Sequence, residues 1–169
     1  VSGDWNELYR QIFPDLVRFL HRKVWDQERA RDLAQEAFVR ALQHQPRKPR
    51  AWLFQVASNL ARDEARTVLR RKRHLALLRS DAQVRQQGAG DPAREMEERE
   101  RREQVREALG ALGERDREAL LLWDAGLGYD EIARHTGIAV GSVGTTLARA
   151  RRRLVEAHRQ RGETDVARG

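Results

Sequence analysis

The chain has 169 residues, enough for one domain or two small ones, with 33 Lys and Arg against 26 Asp and Glu and a formal net charge of +7 at pH 7. That balance favours polyanionic partners through counterion release, although with 35% of the residues charged much of it also belongs to solvated helix faces. The absence of cysteine excludes disulfides and thiolate metal sites, and no apolar run approaches the roughly 20 residues of a membrane-spanning helix.

Apolar residues recur at helical spacing along the chain and strand signals are nearly absent. Residues 4–23 read as a first helix with Leu8, Ile12, Leu16 and Leu20 on one face, widened by Tyr9, Phe13 and Val17; Pro14 either bends this helix or divides it. Asp26 is the expected N-cap of a second helix, with Glu28 in its first turn and Ala30, Leu33, Ala37, Phe38 and Ala41 facing inward to about residue 43. The two prolines of residues 44–50 end it, and Pro49 is placed for the first turn of a third helix. That helix carries Trp52, Leu53, Val56, Leu60 and Leu69 as apolar positions and reaches the cluster Arg70, Arg71, Lys72, Arg73.

Residues 80–92, with Gln, Gly and Asp and few large apolar side chains, read as a linker. The Glu/Arg run over 94–107 pairs opposite charges three and four apart, as an exposed helix does. Val105, Ala108, Leu109 and Leu112 begin a second core. A helix over 114–125 buries Leu120 and Leu121, with Trp123 as a further candidate, and Gly126 caps it. The tail beyond Gln160 reads as a frayed end.

Residues 126–154 are the most informative stretch. A short helix over 129–135 meets a turn at Thr136 and Gly137, and a second helix from about Gly141 ends in a run of arginines. Ala133, Gly137 and Val143 fall at helix-turn-helix spacing: a small residue where helices cross, a glycine where the turn needs a positive φ, and an inward apolar residue. Such a unit lays its second helix in the DNA major groove, with Arg149, Arg151, Arg152 and Arg153 available to phosphates or base edges. The five histidines are scattered with no ligand-spaced pair, and no Gly-rich phosphate loop follows a strand. The sequence therefore predicts no metal, no cofactor and no enzyme.

Three segments in order resemble the bacterial extracytoplasmic-function (ECF) sigma factors of RNA polymerase. ARDLAQEAFVRAL, residues 30–42, is similar to the region that docks on the polymerase β′ clamp helices. PRAWLFQVASNLARDEARTVLRRKR, residues 49–73, is similar to the helix that recognises and melts the −10 promoter element. The helix-turn-helix is similar to the −35 reader. The resemblance implies an all-α protein of two small helical domains joined by a flexible linker, the second domain containing the helix-turn-helix. The implied division is 1–76, a linker over 77–102, a second domain over 103–160 and a tail over 161–169.

By the same resemblance, Asp32, Gln35, Glu36 and Arg40 bind core polymerase, and Asn59, Arg62, Asp63, Arg66 and Arg70 meet the −10 element. The preceding loop, with His44, Gln45, Arg47 and Lys48 as candidates, would close a pocket on a flipped base. Trp52 is a candidate for stacking there, but its spacing with Val56 and Leu60 favours the core. Ser142, Thr145, Thr146, Arg149, Arg152 and Arg153 are the −35 candidates, with Arg149 the best placed for a base. The chain departs from the family here: Gly144 and Thr146 stand where basic residues are common, and Ala148 where a larger side chain is. Implied partners are RNA polymerase core (β′ clamp helices and β flap), promoter DNA and an anti-sigma factor. The implied location is the cytoplasm, at the nucleoid; Asp4 and Glu7 interrupt any signal-peptide pattern. A helix-turn-helix regulator that works without polymerase is the alternative.

Overall fold

The computed structural model describes residues 4–78 and 91–168. Among these residues there are seven helices and no strand: α1 (Trp5–Val24), α2 (Gln27–His44), α3 (Pro49–Leu78), α4 (Pro92–Gly110), α5 (Glu114–Asp124), α6 (Tyr129–Thr136) and α7 (Val140–Arg168). Helices α1–α3 form one compact unit, and most of α4–α7 a second, with residues 124–127 grouped with the first. Of the expected linker, 77–102, residues 79–90 lie outside the described residues; helix is described to Leu78 before them and from Pro92 after them.

The first unit begins where Asp4 accepts hydrogen bonds from the backbone N–H groups of Asn6 and Glu7, satisfying donors that the first helical turn leaves without partners. α1 runs unbroken through Pro14. It buries Ile12, Leu16, Val17, Phe19 and Leu20 and stops at Trp25, whose φ of 57° turns the chain away. Asp26 then caps α2 by accepting from Arg29 N–H at 2.9 Å. Four alanines (Ala30, Ala34, Ala37, Ala41) lie with Leu33 and Phe38 on the buried face of α2. Their small size lets α1 and α3 pack close.

Aromatic side chains fill what the alanines leave. Tyr9 stacks on Phe13 at 4.5 Å and meets Phe38 edge-on at 4.9 Å, while Phe19 and Phe54 meet edge-on at 5.2 Å. Pro49 opens α3, which buries Leu53, Phe54, Ala57, Ser58, Leu60 and Ala61. No residue described beyond Ala61 on this helix is buried. Leu69, one of the apolar positions of this helix, is 54% exposed, because the helix has by then run past the unit it packs on.

In the second unit Asp91 caps α4 through Ala93 N–H at 3.2 Å, with Pro92 at the first helical position. The charged run stays on the surface, and only Ala108 and Leu109 of α4 are buried. α5 contributes Leu120, Leu121 and Leu122 to the core, whereas Trp123 sits at its edge, 38% exposed. Glu131 accepts from the Gly128 N–H at 3.0 Å and starts α6. Gly137, at φ +72°, ends it with a hydrogen bond to Ala133 O. Ile132, Ala133, Val143, Leu147 and Ala150 close the interior of the helix-turn-helix. Its second helix is described to Arg168, and Arg161 pairs with Glu107 of α4.

Candidate nucleic-acid interface

On α2, the residues not needed for the core form a polar face. Asp32, Gln35, Glu36 and Arg40 are all exposed, and Arg40 bonds Glu36 one turn back at 2.5 Å. Val39 and Leu42 stand exposed on the same helix, and the sequence reading missed them because it assigned apolar residues to the core. Arg29, at the head of α2, reaches across to α3. Its guanidinium donates to both Glu64 carboxylate oxygens, at 2.7 and 2.8 Å, and lies 3.8 Å from Asp32. The Arg29 hydrogen bonds hold the Glu64 carboxyl below its ordinary range, outweighing the opposite effect of burial.

On α3, Asn59, Arg62, Asp63, Arg66 and Arg70 are exposed together. Asn59, Arg62, Asp63 and Arg66 recur at three- and four-residue spacing, and Arg70 extends the row by one turn. Asp63 lies 3.8 Å from Arg66, a loose pair that leaves both side chains well solvated. Arg47 and Lys48 are exposed in the turn before α3. Trp52 is half-buried rather than fully in the core, and meets the His44 ring edge-on at 5.6 Å. Arg50, in contrast, is held inside the unit, 3.2 Å from Asp15 and over the Phe54 ring.

The helix-turn-helix presents Ser142, Thr145, Arg149, Arg152 and Arg153 on the exposed side of α7. Thr146 does not join them. It is 5% exposed, because it lies one step from Val143, Leu147 and Ala150 around the helix and turns inward with them. It therefore does not stand with the exposed candidates for DNA, contrary to the expectation from sequence. Arg149 is engaged within the unit: Nε and Nη2 donate to the two Asp116 oxygens at 3.0 and 2.8 Å, and Arg153 approaches the same carboxylate at 3.7 Å. Arg149 holds the Asp116 carboxyl below its ordinary range.

Gly144 leaves a flat spot on this helix. A Cβ placed there meets the Tyr129 hydroxyl at 3.5 Å, ordinary contact distance. Tyr129 packs beside Trp123 at 5.4 Å, and the Arg151 guanidinium lies over the Trp123 ring. Beneath the surface, His135 and Glu118 approach to 3.0 Å and tie α6 to α5. Among the described residues no group of three or more His, Cys, Asp and Glu side chains is arranged to hold a metal ion, and no helix is long and apolar enough to cross a membrane.

A helical unit with an exposed basic helix and a second unit ending in a helix-turn-helix match two family descriptions: sigma-70 region 2 over residues 8–73 and sigma-70 region 4 over residues 102–154. The chain is 32% identical to the ECF RNA polymerase sigma factor SigM of Bacillus subtilis, covering 88% of this chain and 91% of that relative. It is 31% identical to the ferric citrate uptake sigma factor FecI of Escherichia coli, covering 88% and 87%. It is 30% identical to the ECF sigma factor SigE of Mycolicibacterium smegmatis, covering 89% of this chain and 60% of that relative. The sigma factor RpoE of Bartonella quintana, solved with the anti-sigma factor NepR, shares the fold at a TM-score of 0.65 and 23% identity, covering 91% of this chain and 96% of that one. The chain belongs to the ECF family of RNA polymerase sigma factors, transcription-initiation proteins that act in promoter recognition.

Proposed function

We propose that this chain binds RNA polymerase core through α2 and directs it to promoters, with the first unit opening the −10 region and the second reading the −35 region. The exposed stripe from Asn59 to Arg70 carries this reading. Among the residues whose burial is described, none beyond Ala61 on this helix is buried, so Arg62, Asp63, Arg66 and Arg70 serve no core. Asn59 has the donor and acceptor to pair with a base edge. Arg62, Arg66 and Arg70 supply charge for the backbone, with Arg47 and Lys48 in the preceding turn. Asp32, Gln35, Glu36 and Arg40 form the polymerase-docking face, and the exposed Val39 and Leu42 add apolar area to the same helix. We assign the β′ clamp helices to this face and the β flap to the second unit.

In the second unit, Ser142, Thr145, Arg149, Arg152 and Arg153 are the DNA-facing set. The domains divide at 1–76 and 103–160. RpoE is solved with an anti-sigma factor, which supports a separate protein of that kind for this chain as well. A promoter-bound protein of this kind works in the cytoplasm, at the nucleoid. The test is transcription in vitro with core polymerase and a promoter library. Polymerase-dependent initiation from a defined −35/−10 class is expected. Tight, specific binding to duplex DNA without polymerase, and no initiation with it, would instead establish a regulator that works alone.

A further inference from the structure

Arg149 carries five N–H donors in a planar fork. Asp116 takes two of them along one side of the guanidinium: Nε–H donates to Oδ2 at 3.0 Å and Nη2–H to Oδ1 at 2.8 Å. Side-on pairing of this kind leaves the end of the fork, where Nη1–H and the second Nη2–H point forward in parallel. That end is the pair of donors which the O6 and N7 acceptors of a guanine match. The carboxylate lies on the inner side of the contact and the arginine on the outer: the Asp116 side chain is 11% exposed and that of Arg149 is 44%. Asp116 is itself held firmly, in the first turn of α5 just before the buried Ala119 to Leu122.

From this geometry we infer that Asp116 is a positioning residue for sequence readout, holding Arg149 so that the end of its fork meets one guanine in the major groove. Two physical effects combine. The long side chain is restrained before DNA arrives, so little of its rotamer freedom is lost on contact. The neighbouring carboxylate also offsets part of the arginine's charge, which weakens its attraction to phosphates of any sequence and favours the directional base contact. Arg153, at 3.7 Å from the same carboxylate, adds a second cation to the carboxylate's surroundings. The inference rests on the proposed reading of α7 as the −35 helix.

The test uses the full chain bound to core polymerase. Affinity is measured for promoter duplexes in which each −35 base pair is changed in turn, at two salt concentrations. Melting curves verify that each variant is folded. The unaltered protein is expected to prefer G·C at one position by about 5- to 150-fold. In Asp116→Asn and Asp116→Ala that preference is expected to fall to about threefold or less at that position alone, with binding to mismatched duplexes unchanged or tighter. Arg149→Lys, which keeps the charge without the fork, is expected to give the same pattern. It also decides the matter if the Asp116 variants unfold, since retained discrimination in Arg149→Lys overturns the inference. Wild-type discrimination in folded Asp116 variants overturns it too, and makes the pair a brace of the fold. So does a gain that is uniform across all duplexes, which makes Asp116 a charge screen only. If the unaltered protein distinguishes no −35 variant, the assignment of α7 to the −35 element fails first.

Discussion

Arg29 and Glu64 join the head of α2 to the middle of α3 through two hydrogen bonds of 2.7 and 2.8 Å. The pair stands between the helix assigned to polymerase and the helix assigned to DNA. Both side chains are partly solvated, so Glu64→Gln is expected to cost only about 0.5–1 kcal/mol of stability at neutral pH. The folded-state carboxyl titrates below its ordinary range, so the pair's contribution is fully present above the unfolded carboxylate pKa and is lost as pH falls through the depressed folded value. The difference in melting temperature between Glu64→Gln and the unaltered chain is therefore expected to be constant at neutral pH, to narrow as pH falls below the ordinary glutamate range, and to close below the depressed folded value. A difference that persists unchanged at lower pH would show that the ion pair is not its source.

The docking face yields a charge-reversal experiment. Asp32 and Glu36 are exposed, so replacing both with Lys leaves the buried face of α2 untouched. Core polymerase binding is expected to weaken by roughly tenfold or more, with helix content by circular dichroism unchanged. Unaltered affinity in a titration with core enzyme would remove this face from the interface.

Asn59 separates binding from opening. Asn59→Ala is expected to leave core binding as it was and to lower promoter opening by roughly tenfold, the loss of one base-edge contact. Permanganate reactivity of unpaired thymines reads the opening directly. Opening at the unaltered level on both linear and supercoiled templates would mean that Asn59 reads no base.

Two positions in α7 should respond oppositely to the same substitution. A Cβ at Gly144 meets only the Tyr129 ring, at ordinary contact distance, so the backbone there accepts a side chain, and Gly144→Arg adds a cation beside the proposed DNA-facing set. It is expected to tighten promoter binding and raise the salt dependence by about one phosphate contact. Thr146 is buried, and Thr146→Arg forces a long charged side chain into a filled space. A loss of about 1–3 kcal/mol in stability is expected, measured by thermal or denaturant unfolding. Equal tolerance at the two sites would contradict the burial of Thr146.

Local features were the legible part of the sequence. Asp4, Asp26, Pro49 and Gly137 each act within a few residues of themselves, and each marks the helix boundary expected of it. The pairs that organise the candidate interface were not legible. Arg29 and Glu64 are 35 residues apart and Asp116 and Arg149 are 33 apart, and neither pair leaves a periodic trace. Each appears in sequence as one more charge on a solvated face. Thr146 was misassigned because a hydroxyl beside exposed residues looks like a contact, whereas the helix turns it 100° further toward Val143 and Ala150. Leu69 keeps the helical apolar spacing yet stands exposed, because periodicity continues after the partner surface has ended.

That ending has a consequence for how α3 behaves in time. Up to Ala61 its backbone is shielded by packed neighbours, and local opening there requires the unit itself to come apart. Beyond Glu64, the last residue tied to α2, the described turns bury nothing and rest mainly on their own hydrogen bonds and helix propensity, which for a segment this short is a marginal hold. Amide protection is therefore expected to be graded along a single helix, high around Leu53 and Ala57 and low around Arg70, as hydrogen exchange would read. On the proposed reading, in which these turns meet promoter phosphates, contact would add to that hold, and part of its favourable energy would go into steadying the helix that makes it.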